Sequence, residues 1–239
     1  MRPRKFATVL CLWTTAWIVS AIAGDFQDGM AAFQKDDYAI ALKDWRLAAK
    51  QGDARAPAML GILNKFGVAQ FEDGMAAFQK DDYATTLKDW HRAAKQGNDR
   101  GQAGLGLLYE FGKGVPQDFT KAARWYRRAA RQGNTKAQIR LGILYISGGG
   151  VPRDYAQGAY WWRLAAKAGD PEAQTDLGLL YSIGRGVPQD YVKAYMWLDL
   201  GAAGSDPRAE SLRNETAAHM TRAQISVAQH LASQFRETP

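Results

Sequence analysis

The chain has 239 residues, 46% of them hydrophobic and 23% charged, which is the composition of an ordinary folded protein and is long enough for one core or an array of small ones. Its formal charge is +7, but Arg2, Arg4 and Lys5 supply three of those cations, so without residues 1–23 it carries a mild +4 that argues neither for nor against nucleic acid. Cys11 is the only cysteine; a mature chain lacking it has no disulfide, no thiolate metal site and no cysteine nucleophile.

The basic tip runs into the apolar stretch FATVLCLWTTAWIVSAIA, closed by the small-x-small pattern Ala21-Ile22-Ala23. This is the layout of a secretory signal peptide over residues 1–23, with cleavage after Ala23 and export to the periplasm or beyond. A retained anchor is the competing reading, since the run is close to the shortest membrane span. Lipidation at Cys11 is disfavoured by the bulky Leu10 before it and the apolar sequence after it.

Two internal repeats then set the architecture. One has a period of forty-five: FQDGMAAFQKDDYAIALKDWRLAAKQG (26–52) returns as FEDGMAAFQKDDYATTLKDWHRAAKQG (71–97) with five differences in twenty-seven positions. The other has a period of thirty-six and carries Leu105-Gly106, Tyr109, Val115-Pro116, Asp118 and Trp125 into Leu141-Gly142, Tyr145, Val151-Pro152, Asp154 and Trp161, and on into Leu177-Gly178, Tyr181, Val187-Pro188, Asp190 and Trp197.

In chain order, residues 24–36 read as a capping helix, 37–70 as a first repeat, 71–117 as the duplicated cap helix plus a second repeat, 118–153 and 154–189 as the third and fourth, 190–216 as a partial fifth, and 217–239 as a closing helix. The nine residues by which forty-five exceeds thirty-six predict an extra short helix at 72–80. Each repeat reads as two helices. In the fourth, Tyr155, Ala159, Trp162 and Ala166 form one apolar stripe, with Asp154 as N-cap and Gly169 as stop. Asp170-Pro171 opens its second helix. There Ala173, Leu177 and Tyr181 share a face, and Gly178 permits close approach. At the chain's end, Thr221 and Gln224 form a capping box ahead of a stripe of Ile225, Ala228, Leu231, Ala232 and Phe235.

The recurring G-x-GVP-x-D joint looks at first like a phosphate cradle. It lacks the preceding strand and the Lys-Ser/Thr that such loops need. It reads instead as a connector: glycines for positive φ at a helix end, proline to stop the helix, and aspartate to cap the next. Trp45, Trp90 and Trp162 share one register and read as core, whereas Trp125, Trp161 and Trp197 lie one position off it. His91, His219 and His230 lack metal-ligand spacing and read as surface residues. Asp36-Asp37 and Asp81-Asp82 read as helix caps, RWYRRAAR (124–131) as a solvated face, and no serine sits in a nucleophile elbow.

The text AARWYRRAARQGNTKAQIRLGILYISGGGVPRDY (122–155) resembles the Sel1-like repeat, a relative of the tetratricopeptide repeat, and the resemblance extends over roughly residues 37–215. Gln70-Phe71 replaces the usual joint, Pro57 and Asn64 replace Gln102 and Tyr109, and the pattern fades after Asp206-Pro207. The resemblance implies an all-α, right-handed α-solenoid of helix-turn-helix repeats that is generally not catalytic, needs no cofactor or metal, and holds proteins or peptides. It further implies an adaptor of the bacterial envelope, with a membrane sensor protein among the kinds of partner and neither nucleic acid nor a membrane span in the mature chain. By the same resemblance, the LG-x-L-Y helices line the concave side and present Arg100, Glu110, Phe111, Lys136, Arg140, Ile146, Glu172, Asp176, Ser182 and Ile183 to a partner. The competing readings are a hydrolase of cell-wall or β-lactam substrates and a self-associating envelope protein.

Overall fold

The computed structural model describes residues 24–237. The leader expected over 1–23 lies outside them. Among the described residues every regular element is a helix: α1 (residues 24–33), α2 (Tyr38–Lys50), α3 (Ala56–Lys65), α4 (Val68–Phe78), α5 (Tyr83–Lys95), α6 (Asp99–Phe111), α7 (Phe119–Arg131), α8 (Thr135–Ser147), α9 (Tyr155–Lys167), α10 (Pro171–Ile183), α11 (Tyr191–Ala203), α12 (Ala209–Ala217) and α13 (Arg222–Glu237). They form two compact units, one through Gly101 and one from Gln102 onward.

In the first unit, a ring seated on a glycine joins each helix pair. Trp45 of α2 lies on Gly29 of α1, where a Cβ would come within 2.6 Å of the indole. Its Nε1–H donates to the Phe26 carbonyl at 3.2 Å, and the Phe33 ring closes the side at 5.6 Å. The duplicated segment rebuilds this seat. Trp90 of α5 lies on Gly74 of α4 and donates to the Phe71 carbonyl at 3.2 Å, with Phe78 at 5.4 Å. The helix expected at 72–80 therefore exists, but it begins at Val68 and ends at Phe78. Gln70-Phe71 stand where the next joint has Val115-Pro116, so no proline interrupts the helix and it runs back to Gly67, which reverses the chain at φ 69°. Rather than an insertion beside the pairs, α4 is a full partner of α5. Asp37 and Asp82 cap α2 and α5 as expected. Asp36 and Asp81 instead take positive φ and accept from the hydroxyls of Tyr38 and Tyr83.

The second unit is a solenoid of stacked pairs. Tyr126 lies on Gly106, Trp162 on Gly142 and Leu198 on Gly178, each joining the second helix of one repeat to the first helix of the next. Within a repeat, the side-chain amides of Gln138 and Gln174 donate to the Ala130 and Ala166 carbonyls at 3.2 and 3.1 Å, satisfying acceptors at the ends of α7 and α9. The joints behave as predicted. The amides of Asp118, Asp154 and Asp190 return to the carbonyls of Tyr109, Tyr145 and Tyr181, and their carboxylates cap α7, α9 and α11. At Gly150 and Gly186 the joint crosses the backbone of Phe119 and Tyr155 so closely that a Cβ would overlap it. Trp161 and Trp197 are buried, and α13 closes the unit with Ala228 and Ala232 inward and Phe235 edge-on to Trp197 at 5.2 Å. The Thr221–Gln224 box forms in both directions.

Two outcomes test this account. Gly142→Val drives a side chain into the indole and is expected to cost about 1–3 kcal/mol. Gly61→Ala, an open helical position, should gain about 0.5–1 kcal/mol; urea unfolding of both variants compares them. Deleting residues 34–78 rejoins an unchanged FQKDDY text and seats α1 on Trp90. The shortened chain should keep a cooperative thermal transition by circular dichroism, and its loss would show that the two copies are not interchangeable.

Candidate partner-binding face

The ten residues expected to face a partner fall into two groups. Phe111 and Ile183 are 50% and 47% exposed at the C-terminal ends of α6 and α10, two repeats apart in the same register. Lys136 and Glu172 are exposed on the first turns of α8 and α10. Arg140 is half-buried, with its guanidinium 5.6 Å from the centre of the Phe111 ring. Arg100 belongs to the first unit, where it lies over the Phe71 ring at 4.2 Å and donates to Glu72 at 2.8 Å.

The other four are turned inward. Glu110 is buried: it accepts the Tyr126 hydroxyl at 2.5 Å and the Arg140 guanidinium at 3.4 Å. Burial, reinforced by Glu110, pushes the Tyr126 phenol far above its ordinary range. Asp176 is buried and accepts from Arg208 at 2.8 Å. Burial raises its carboxyl, and Arg208 offsets part of that rise. Ile146 is partly buried against Gly158 of α9. Ser182, half-buried, donates to the Leu179 carbonyl of its own helix at 2.8 Å. Helical position alone pointed these residues outward. Side chains arriving thirty or more residues later cover the two acids, a contact that one helix cannot reveal.

Arg208 was missed, although the thirty-six-residue period places it after Lys136 and Glu172. It joins Asp176 to Asp206, to which it donates at 2.8 Å. Burial alone would raise the Asp206 carboxyl, but the hydrogen bonds from Arg208 bring it below its ordinary value. The first repeat has the same clamp: Asp53 accepts the Arg55 amide at 2.8 Å and its guanidinium at 2.6 Å. Arg127 and Arg163 donate to the hydroxyls of Tyr145 and Tyr181, bracing the second helix of each repeat. The surface that remains has an exposed apolar side chain at the C-terminal ends of α6 and α10, with Arg140 beside the Phe111 ring and with Lys136 and Glu172 on the first turns of α8 and α10. It can grip a polypeptide by side-chain contact and hydrogen bonding. Among the described residues, no helix is long and apolar enough to cross a membrane.

The Sel1 repeat pattern matches residues 99–134, 135–170 and 171–206. A Sel1 repeat protein from Oxalobacter formigenes is 36% identical, covering 54% of this chain and 97% of that one, with a TM-score of 0.51. A protective antigen present in uropathogenic Escherichia coli strains, displaying an SLR fold, is 24% identical over 90% of this chain and 68% of its own, with a TM-score of 0.52; that likeness concerns the fold. No curated protein matches the chain.

The Asp-x-Arg clamp has a pH signature. Hydrogen bonds from Arg55 hold the Asp53 carboxyl down at about 2, against about 4 in an unfolded chain. Its contribution is therefore complete above about pH 4 and is lost as the pH falls toward 2. Between those values the melting temperature of the parent protein should fall more steeply than that of Asp53→Asn; parallel curves would show that the clamp does not stabilise the fold.

Proposed function

The chain belongs to the Sel1 repeat family, a family of protein-interaction scaffolds, and from that premise we propose that it is a non-enzymatic adaptor holding a protein or peptide of the bacterial cell envelope on the outward side of α6, α8 and α10. The observation that carries this reading is the pair Phe111 and Ile183, large apolar side chains left exposed in one register, with the Arg140 guanidinium beside the Phe111 ring. Exposed apolar groups framed by charge are the usual makings of a contact surface. With Glu110 and Asp176 occupied inside, the accessible charges are cationic on α8 and anionic on α10. That arrangement suits an extended segment carrying an acid ahead of a base. Export rests on the basic tip and apolar run of residues 1–23, and the sensor-protein class of partner rests on the family resemblance.

A photo-reactive residue at position 111 tests the face, with position 157 on α9 as the control, in intact cells expressing the full chain. One discrete cross-linked species is expected from position 111, recovered in the envelope fraction, lost in Ile183→Ala/Lys136→Glu, and absent from position 157. Equal labelling from both positions, or cross-linking indifferent to that double variant, would overturn the assignment.

A further inference from the structure

The first unit has a groove that the repeat pattern does not require. An open cavity of about 460 Å³ lies between α2 and α4. Ala39, Lys43, Leu47 and Lys50 line it from α2, in positions that follow one helical stripe, and Glu72 and Asp73 line it from α4. The acids are already engaged. Asp73 accepts both terminal nitrogens of Arg46 at 2.9 and 2.8 Å, and Glu72 accepts from Arg100 at 2.8 Å. Among the described residues, neither Lys43 nor Lys50 has an acid within ion-pair distance. The groove is therefore net basic, with an apolar floor, and the Arg46–Asp73 fork spans it.

The duplicated segment is an internal control. Forty-five residues on, α5 repeats the text of α2 with two polar replacements: Arg92 for Leu47, which lines the groove, and Thr85 for Ile40, which follows the lining residue Ala39. Ile40 and Leu47 are 48% and 42% exposed. Two of the five differences between the copies thus leave an exposed apolar side chain on α2 where α5 has a polar one. Nothing in the pairing of α1 with α2 calls for this, because the seat of Trp90 on α4 forms without it.

We propose that the groove between α2 and α4 is a second interaction site, which docks an acidic amphipathic helix of a partner protein. Apolar side chains of that helix lie against Leu47, Ile40 and Ala76. Carboxylates seven residues apart on it meet Lys43 and Lys50, themselves seven residues and about 10 Å apart along α2. Helix-in-groove recognition supplies the apolar contact, and the charges set partner choice and on-rate.

The test is fluorescence anisotropy with a labelled eighteen-residue peptide, leucine at every third or fourth position and glutamate alongside, and with its lysine-for-glutamate twin. Leu47→Arg and Ile40→Thr install the side chains α5 already carries, so these variants keep the fold, and circular dichroism verifies it. The glutamate peptide should bind the full chain, about tenfold more weakly to Leu47→Arg and to Lys43→Glu/Lys50→Glu, and more weakly as salt rises. The lysine twin should bind only Lys43→Glu/Lys50→Glu, and Phe111→Ala in the other unit should change nothing. Absence of binding by the glutamate peptide, equal affinity for the two peptides, or indifference to Leu47→Arg would overturn the proposal. Because Phe111→Ala acts on the other face alone, failure here is distinguishable from failure of the proposed adaptor face.

Discussion

Every repeat depends on a side chain seated on a glycine of the facing helix. Gly29, Gly74, Gly106, Gly142 and Gly178 each lie under a large group, and at all five a Cβ would overlap it. Helices at ordinary separation leave no room for an indole lying flat between them; removing one Cβ creates the space. The seat also supplies direction. In Trp45, Trp90 and Trp162 the indole N–H reaches a backbone carbonyl three residues before the glycine, so the ring is fixed in rotation as well as depth. Tyr126 reaches further along α6 to Glu110, and Leu198 has no polar tip and relies on packing alone. The polar supplement varies while the seat persists, which identifies steric fit as the common requirement.

Much of this was legible from residue spacing. The helices follow from a period near 3.6, from aspartate caps and from glycine stops, and the burial of Trp45, Trp90 and Trp162 follows from their shared register. The joint's structural role follows from what a phosphate loop would need and this chain lacks. The start of α4 was hidden because it depends on the loss of the valine-proline joint, where Gln70-Phe71 let the helix run back to Gly67. The exposure of the residues expected to face a partner was legible only in part. Phe111, Lys136, Glu172 and Ile183 lie at the surface, whereas Glu110 and Asp176 do not, because their covering cations come from the following helices. Trp161 and Trp197 were open between burial and exposure on spacing alone, and the tertiary fold buries both.

The charged residues divide in the same way. Carboxylates that burial would leave costly each meet an arginine: Glu110 with Arg140, Asp176 and Asp206 both with Arg208, and Asp199 with Arg213 and Arg236. An unpaired charge at such depth would be strongly unfavourable. The interior electrostatics therefore hold the repeats in register.

The glycine seats span only sixteen residues in the first unit and twenty in the second. A nascent polypeptide leaving the ribosome amino end first can complete each seat as soon as one more helix has emerged. No greasy surface must wait for a distant stretch of chain, which is the circumstance that invites aggregation in proteins of high contact order. Construction then proceeds like a zip closing from one end, and the unfinished edge at any moment is one helix wide.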